Sequence, residues 1–166
     1  MTDDFWDYSL KLYAGSGVKS GLLALQNEHG LNVNVLLLCC WHGVRFREAL
    51  STNAIVRFVD GAKPWHDGVT VQLRAIRVAL KEESALAMVA GSAELRRDAL
   101  ALELKSERIE QGELLAHLDV PGAIGNNSVE RAVLTALERY AEVATVEAAA
   151  VADRLRHLTQ SAAAVS

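Results

Sequence analysis

Proline is scarce in this chain: there are two in 166 residues, Pro64 and Pro121. Proline is the residue that most often interrupts a helix, so its scarcity favours long unbroken helices. Cysteine is equally scarce. Cys39 and Cys40 are adjacent, and neighbouring cysteines seldom bridge because the geometry is strained. A disulfide framework is excluded, and free buried thiols in a reducing compartment are expected. No apolar run approaches bilayer length. The longest, residues 33–41, is interrupted by Asn34 and falls far short of the roughly 20 residues a spanning helix needs. The opening Met1-Thr2-Asp3-Asp4 is acidic and lacks the basic-plus-apolar form of a secretory signal. A cytoplasmic chain with no membrane partner is therefore expected. Positive charge is not in surplus either: the net charge is -4. Nucleic-acid binding needs clustered Lys and Arg to neutralise phosphates, so that class of partner is not expected.

What the chain has in abundance is helix-forming sequence, rich in Leu, Ala, Glu and Arg. Apolar residues at three- and four-residue spacing predict a first helix over 5–14 and a second over 18–29, the latter closed by Gly30. Asn32 or Asn34 caps a third helix to about Val44 whose residues Val35 to Trp41 are apolar on every side. A helix that is hydrophobic all round is buried. Ser51, Thr52 and Asn53 precede a short helix over 54–59, and residues 60–64 read as a loop. A fifth helix runs from Trp65 to about Leu86, with Leu73, Ile76 and Leu80 inward and Arg74, Arg77 and Lys81 alongside. Ser92 caps a sixth helix over 93–118, where Leu95, Leu102 and Ile109 repeat at sevens, a stripe suited to a helical partner. After a break at 119–126, Asn127 and Glu130 form a capping box for a last helix to about Leu158.

These elements predict an all-α fold: a six- or seven-helix bundle around a buried central helix, with a long C-terminal helical hairpin. The chain reads as one helical domain over 1–166, an aromatic-rich core over 1–88 and an antiparallel hairpin over 92–160. The halves differ. Eight of the nine aromatics lie between Phe5 and Trp65. The first 80 residues carry 8 basic and 7 acidic side chains and the rest 9 and 14, which puts the negative charge in the back half.

Two segments carry a resemblance. One is Phe5-Trp6-Asp7-Tyr8-Ser9-Leu10-Lys11-Leu12-Tyr13, of the form FWDYSLxLY. The other runs from Leu25-Gln26 through His29-Gly30-Leu31-Asn32-Val33-Asn34 to Trp41, of the form LQxxHGLNVNxLLxCxW. With Trp65 and the stretch 73–81, they resemble a family of proteobacterial proteins of roughly 160 residues with no assigned activity. The resemblance covers about the first half of the chain. It implies a bacterial cytosolic setting and supplies no catalytic residues.

Candidate chemistry is thin. The five histidines, His29, His42, His66, His117 and His157, form no HExxH and no pair at i+3 or i+4, where two ligands share a helix face. Cys39 and His42 offer half of a soft metal site, but small core thiols and a polar residue at a helix exit explain them as well. A Cys–His nucleophile would need an exposed, electropositive thiol, and the apolar surroundings point the other way. No metal and no cofactor are expected. Asn32 and Asn34 either cap the third helix or line a polar pocket, capping being the commoner use. The most specific set is two Trp-His pairs, Trp41-His42 and Trp65-His66, with Arg74 and Arg77. Indole faces stack, and guanidinium groups grip carboxylate or phosphate, so these six residues describe a pocket for a small anionic or aromatic ligand. The alternative is that the indoles fill core corners and the arginines are solvated.

With no nucleotide loop, triad or metal spacing, the leading expectation is a non-enzymatic binding or adaptor protein acting through protein–protein contacts, a homodimer included. The alternative is a small-molecule-binding protein or enzyme using the Trp/His/Arg pocket.

Overall fold

A computed structural model describes residues 1–81 and 84–165. The chain is all-α, with no strand among the described residues. The helices are α1 (Thr2–Tyr13), α2 (Val18–His29), α3 (Val33–Phe46), α4 (Thr52–Trp65), α5 (Val71–Ala79), α6 (Ser92–Ala116), α7 (Val129–Val143) and α8 (Ala148–Ala164). A π turn, His66–Thr70, joins α4 to α5, and a 3-10 turn, Ala85–Met88, precedes α6. Since α4, the π turn and α5 run on without a break, the described residues form seven helical rods.

The first three helices follow from local sequence. Gly17 and Gly30 supply the left-handed backbone that ends one helix and starts the next. The Gly30 N–H donates to Gln26 O and the Leu31 N–H to Leu25 O, which closes α2. The Asn32 side chain accepts from the Asn34 N–H at 2.9 Å and caps α3. All residues from Asn34 to Gly43 are buried, and α1, α2, α6, α7 and α8 pack around them. The expected central helix is present, and its sides are covered by helices from both halves of the chain.

The middle of the chain corrects the sequence expectation. No loop separates residues 60–64 from their neighbours. The buried stripe Ile55, Phe58 and Ala62 carries α4 straight through them. Gly61 serves packing rather than a turn: a β-carbon there would stand 2.2 Å from the His117 ring. Pro64 sits inside the helix, where it removes one backbone donor. The ladder then widens into the π turn, with the Val71 N–H reaching back to His66 O. α5 ends at Ala79, short of the expected Leu86. Its inward residues also differ from expectation: Ile76 is 47% exposed, while Arg74 and Arg77 are drawn against α6 by carboxylates.

The back half is arranged differently from the simple pattern. Ser128, not Asn127, caps α7 by accepting from the Arg131 N–H. The expected helix over 127–158 breaks at Thr145, which takes φ 57°, and the Val146 N–H closes on Ala141 O. α8 then folds back along α7, so the C-terminal hairpin consists of these two helices. α6 packs instead on α1, α3, α4 and α5. It turns Ala99, Ser106 and the carboxylates Glu103 and Glu110 inward, which leaves the heptad stripe Leu95, Leu102 and Ile109 exposed.

Candidate functional site

α5 and α6 are joined by charge. Arg74 and Arg77, three apart on α5, meet Glu103 and Glu107, four apart on α6, so both pairs project from one helix face. Arg74 Nε donates to Glu103 Oε1 at 2.9 Å and Nη2 to Glu107 Oε1 at 3.0 Å. Arg77 Nη2 donates to Glu103 Oε1 at 3.2 Å, and its Nε bonds Oε2 of the same carboxylate. Burial pushes the Glu103 carboxyl up, but the hydrogen bonds from Arg77 and Arg74 outweigh it and hold it below the usual glutamate range. At Glu107 burial wins over Arg74, and the carboxyl is raised.

This ladder forms one wall of a cleft of about 420 Å³ bounded by α1, α2, α3, α5 and α6. Trp6 and Leu10 from α1, Leu23 from α2, Leu37 from α3 and Leu100 and Leu104 from α6 give it apolar sides. Its floor is polar. Gln111, 1% exposed, donates through Nε2 to Ser9 Oγ at 3.2 Å and to Asn34 Oδ1 at 3.0 Å. Its Oε1 has no partner among the described residues. Five cations line the cleft against two carboxylates. Arg74 and Arg77 are matched by Glu103 and Glu107, whereas Lys19, Arg96 and Arg97 have no ion-pair partner among the described residues. The buried Arg96 Nε also lacks an acceptor. Unmatched cations over apolar walls are what an anion with an apolar body requires.

Trp65 and His66 lie on the same rod as Arg74 and Arg77 but point into a separate polar knot outside the cleft lining. Trp65 Nε1–H donates to Ser106 O at 3.1 Å and to Ser106 Oγ at 3.2 Å, and Ser106 Oγ stands 2.7 Å from Thr70 Oγ1. His66 Nδ1 lies 3.1 Å from Glu110 Oε1. Glu110 is fully buried. Burial raises its carboxyl, but hydrogen bonds from His66, Asn32 and Thr70 prevail and lower it. An ionised carboxylate only accepts, so Nδ1 is the protonated ring nitrogen. Asn32 Nδ2 donates to the same oxygen at 2.7 Å, and the Asn32 N–H donates to the Tyr140 hydroxyl at 2.8 Å. Glu110 therefore ties the π turn to the start of α3 and, through Asn32, to α7.

Trp41 and His42 sit elsewhere. Trp41 packs on Phe5 and edge-on against Phe46, with ring centroids 5.4 and 5.7 Å apart. His42 Nδ1 bonds the Glu48 carbonyl at 3.0 Å, and burial lowers its pKa. Of the six residues singled out from sequence, Arg74 and Arg77 reach the cleft, Trp65 and His66 enter the adjoining knot, and Trp41 and His42 enter the core. The thiols are equally remote. Cys39 faces Ala136 O at 3.8 Å, and burial pushes both Cys39 and Cys40 well above the usual thiol range. Cys39 and His42 thus turn to different partners, and no group of three His, Cys, Asp or Glu side chains is placed to hold a metal among the described residues. No helix among them is long and apolar enough to cross a membrane.

Most of the cleft was not readable as a site. Asn34 was open to either use and lines the cleft, while Asn32 does the capping. Lys19, Arg96, Arg97 and Gln111 carry no motif. The one available signal is that Arg96, Leu100, Glu103, Glu107 and Gln111 recur every three or four residues, so they share one face of α6.

No curated protein and no solved structure matches the chain. One family model does match, over residues 4–114, a stretch that holds every residue lining the cleft, from Trp6 to Gln111. The chain belongs to the family described as "Protein of unknown function (DUF2390)".

Proposed function

We propose that this is a non-enzymatic binding protein of the bacterial cytosol that holds a small organic anion with an apolar or aromatic body in the cleft beside α6. The observation that carries the reading is the set Lys19, Arg96 and Arg97, cations without carboxylate partners among the described residues, beside walls of Trp6, Leu10 and Leu100. A cleft of about 420 Å³ is of the size that encloses a small ligand. The buried, unreactive thiols suit a reducing compartment.

The test is a fluorescence titration with anilinonaphthalene sulfonate, an aromatic anion. Leu100 and Leu104 are about half exposed, so Leu100→Glu and Leu104→Glu put negative charge in the cleft without disturbing the core. The expected result is one saturable site per chain whose affinity falls at least tenfold in both variants. Binding that both variants retain would overturn the reading.

A second reading, an adaptor or homodimer, rests on the exposed stripe Leu95, Leu102 and Ile109 along α6. Light scattering at high concentration checks it, and a monomer removes the dimer.

A further inference from the structure

Away from the cleft, α6 carries a second apolar surface. Leu95, Leu102 and Ile109 stay about half exposed in the folded chain. Residues that repeat at sevens keep to one side of a helix, the arrangement a partner helix reads. α5 widens this surface. Thr70 meets Ser106 and Arg77 meets Glu103, so α5 and α6 run antiparallel. Each residue turns a helix by about 100°. Leu73, Ile76 and Leu80 therefore lie about a quarter turn from the arginine edge of α5. Leu95 and Leu102 lie a little more than a quarter turn from the glutamate edge of α6, in the same sense. Between antiparallel neighbours, equal rotation brings both sets to one side of the pair. Ile76 is also about half exposed there, and Leu73 and Leu80 are partly exposed. Leu100 and Leu104 rotate the other way, toward the cleft. Leu102 and Leu104 thus stand on nearly opposite sides of α6.

The charges beside the stripe are ordered. Asp98 precedes Leu102 and Lys105 follows it, and both are exposed. Neither has an ion-pair partner among the described residues. Further out, Glu94 and Arg108 keep the same order, acidic before the centre and basic after it, although Arg108 already holds Asp3 at 2.7 Å. The apolar stripe is centred on Leu102, and the Asp98–Lys105 pair is centred within one residue of it. A two-fold axis at that point lays Leu95 on Ile109 and Leu102 on its own copy. It also brings Asp98 of one chain within about 1.5 Å, along the helix, of Lys105 of the other, and does so twice. A parallel copy would set aspartate on aspartate and lysine on lysine. The pattern is therefore complementary to itself, in one direction only.

From this self-complementarity, and resting on the second reading that the face is a contact surface, we infer that the chain pairs with a second copy of itself through α6. The two α6 helices run antiparallel across a two-fold axis at Leu102. Leu73, Ile76 and Leu80 of α5 form the apolar flank, and Asp98 with Lys105 forms the polar one. Such an apolar face with a charged rim is typical of a protein contact. The cleft lies on the far side of α6 and stays open in the pair.

Sedimentation equilibrium of full-length variants over a concentration series tests this. The wild type is expected to dimerise. Leu102→Glu sets two carboxylates on the axis and is expected to weaken the dimer at least tenfold. Asp98→Lys and Lys105→Asp each turn two attractions into two repulsions, and each is expected to weaken it about tenfold. Mixed in equal amounts, these two variants place lysine against aspartate at both contacts. Their affinity is expected to return to within about threefold of wild type. Cross-linking fixes the direction. The native thiols are buried, so Leu102→Cys is expected to give a disulfide-linked dimer on mild oxidation. Leu95→Cys is not, because its two copies stand about 21 Å apart along the antiparallel pair. Since Leu102 is half exposed, an unchanged circular-dichroism spectrum of Leu102→Glu separates a lost contact from a lost fold. A dimer that survives both Leu102→Glu and Asp98→Lys, or that cross-links equally through Leu95→Cys, overturns the inference and leaves a homodimer standing. A wild type that stays monomeric at high concentration overturns the inference and the homodimer reading together.

Discussion

Gly43 and Val133 hold α3 and α7 in direct contact: a β-carbon on Gly43 would stand 2.6 Å from Val133 Cγ2 and 2.8 Å from its backbone nitrogen. Two packed backbones meet here, so neither side can yield by rotating a flexible side chain. Gly43→Ala gains about 1 kcal/mol of helix propensity but overpacks the centre of the bundle, and the second effect dominates. The variant is expected to lose about 2 kcal/mol in urea unfolding. Gly21, within α2, has nothing within 4 Å of its own virtual β-carbon. Gly21→Ala should therefore gain about 0.5–1 kcal/mol, since only propensity acts there.

Thr145 ends α7 in the left-handed region at φ 57°. A β-branched residue pays about 1–2 kcal/mol for that conformation, and glycine does not. Among the described residues its side chain bonds only the neighbouring Ala144 carbonyl. Thr145→Gly is expected to raise stability by about 1 kcal/mol with the fold unchanged, a shift of roughly 2–4 °C in melting temperature for a chain of this size.

Glu110 sets an acid limit on the fold. Its carboxyl and that of Glu103 are lowered, so in both cases the folded pKa lies below the unfolded one. Each stabilises fully above the ordinary glutamate value of about 4.3, and that stability is lost as pH falls through the folded value. Glu107 works in the opposite sense: its raised carboxyl favours the folded state at low pH and less so as pH rises through the folded value. Removing the buried Glu110 oxygens leaves Asn32 and His66 without their acceptor. Glu110→Ala is expected to cost about 2–3 kcal/mol at neutral pH and progressively less below pH about 4.3. Equilibrium unfolding of wild type and variant across pH 3–7 measures this.

How much of this was legible from sequence depended on whether a signal was local. The central helix was, because Val35 to Trp41 is apolar all round and Asn32 stands before it as a cap. The last helix was not, because its break rests on Thr145, a residue with no turn preference, in place of a glycine. Gly61 and Pro64 gave a false loop: one is demanded by the approach of His117, the other tolerated through a π turn, and neither is visible without the partner helix. At the site, Arg74 and Arg77 stood out as a pair, but their carboxylate partners lie at least 26 residues away. Trp41 was named for its neighbour His42, yet Phe5 and Phe46 decide where it sits. The cleft itself depends on five helices converging, which no single segment announces.

The most direct test of the cleft as a binding site is the thermal shift produced by saturating anilinonaphthalene sulfonate in the wild type and in Leu104→Glu. At a hundred times its dissociation constant, a ligand specific for the folded state adds about 2.7 kcal/mol. In the wild type this should raise the melting temperature by roughly 5–10 °C. In Leu104→Glu, a site at least tenfold weaker met by the same ligand concentration adds at most about 1.4 kcal/mol, so the rise should fall to about half or less, while the unliganded melt stays within about 2 °C of wild type, as for a surface substitution. An equal rise in both proteins, or none in either, would contradict the assignment of the cleft beside α6 as the ligand site.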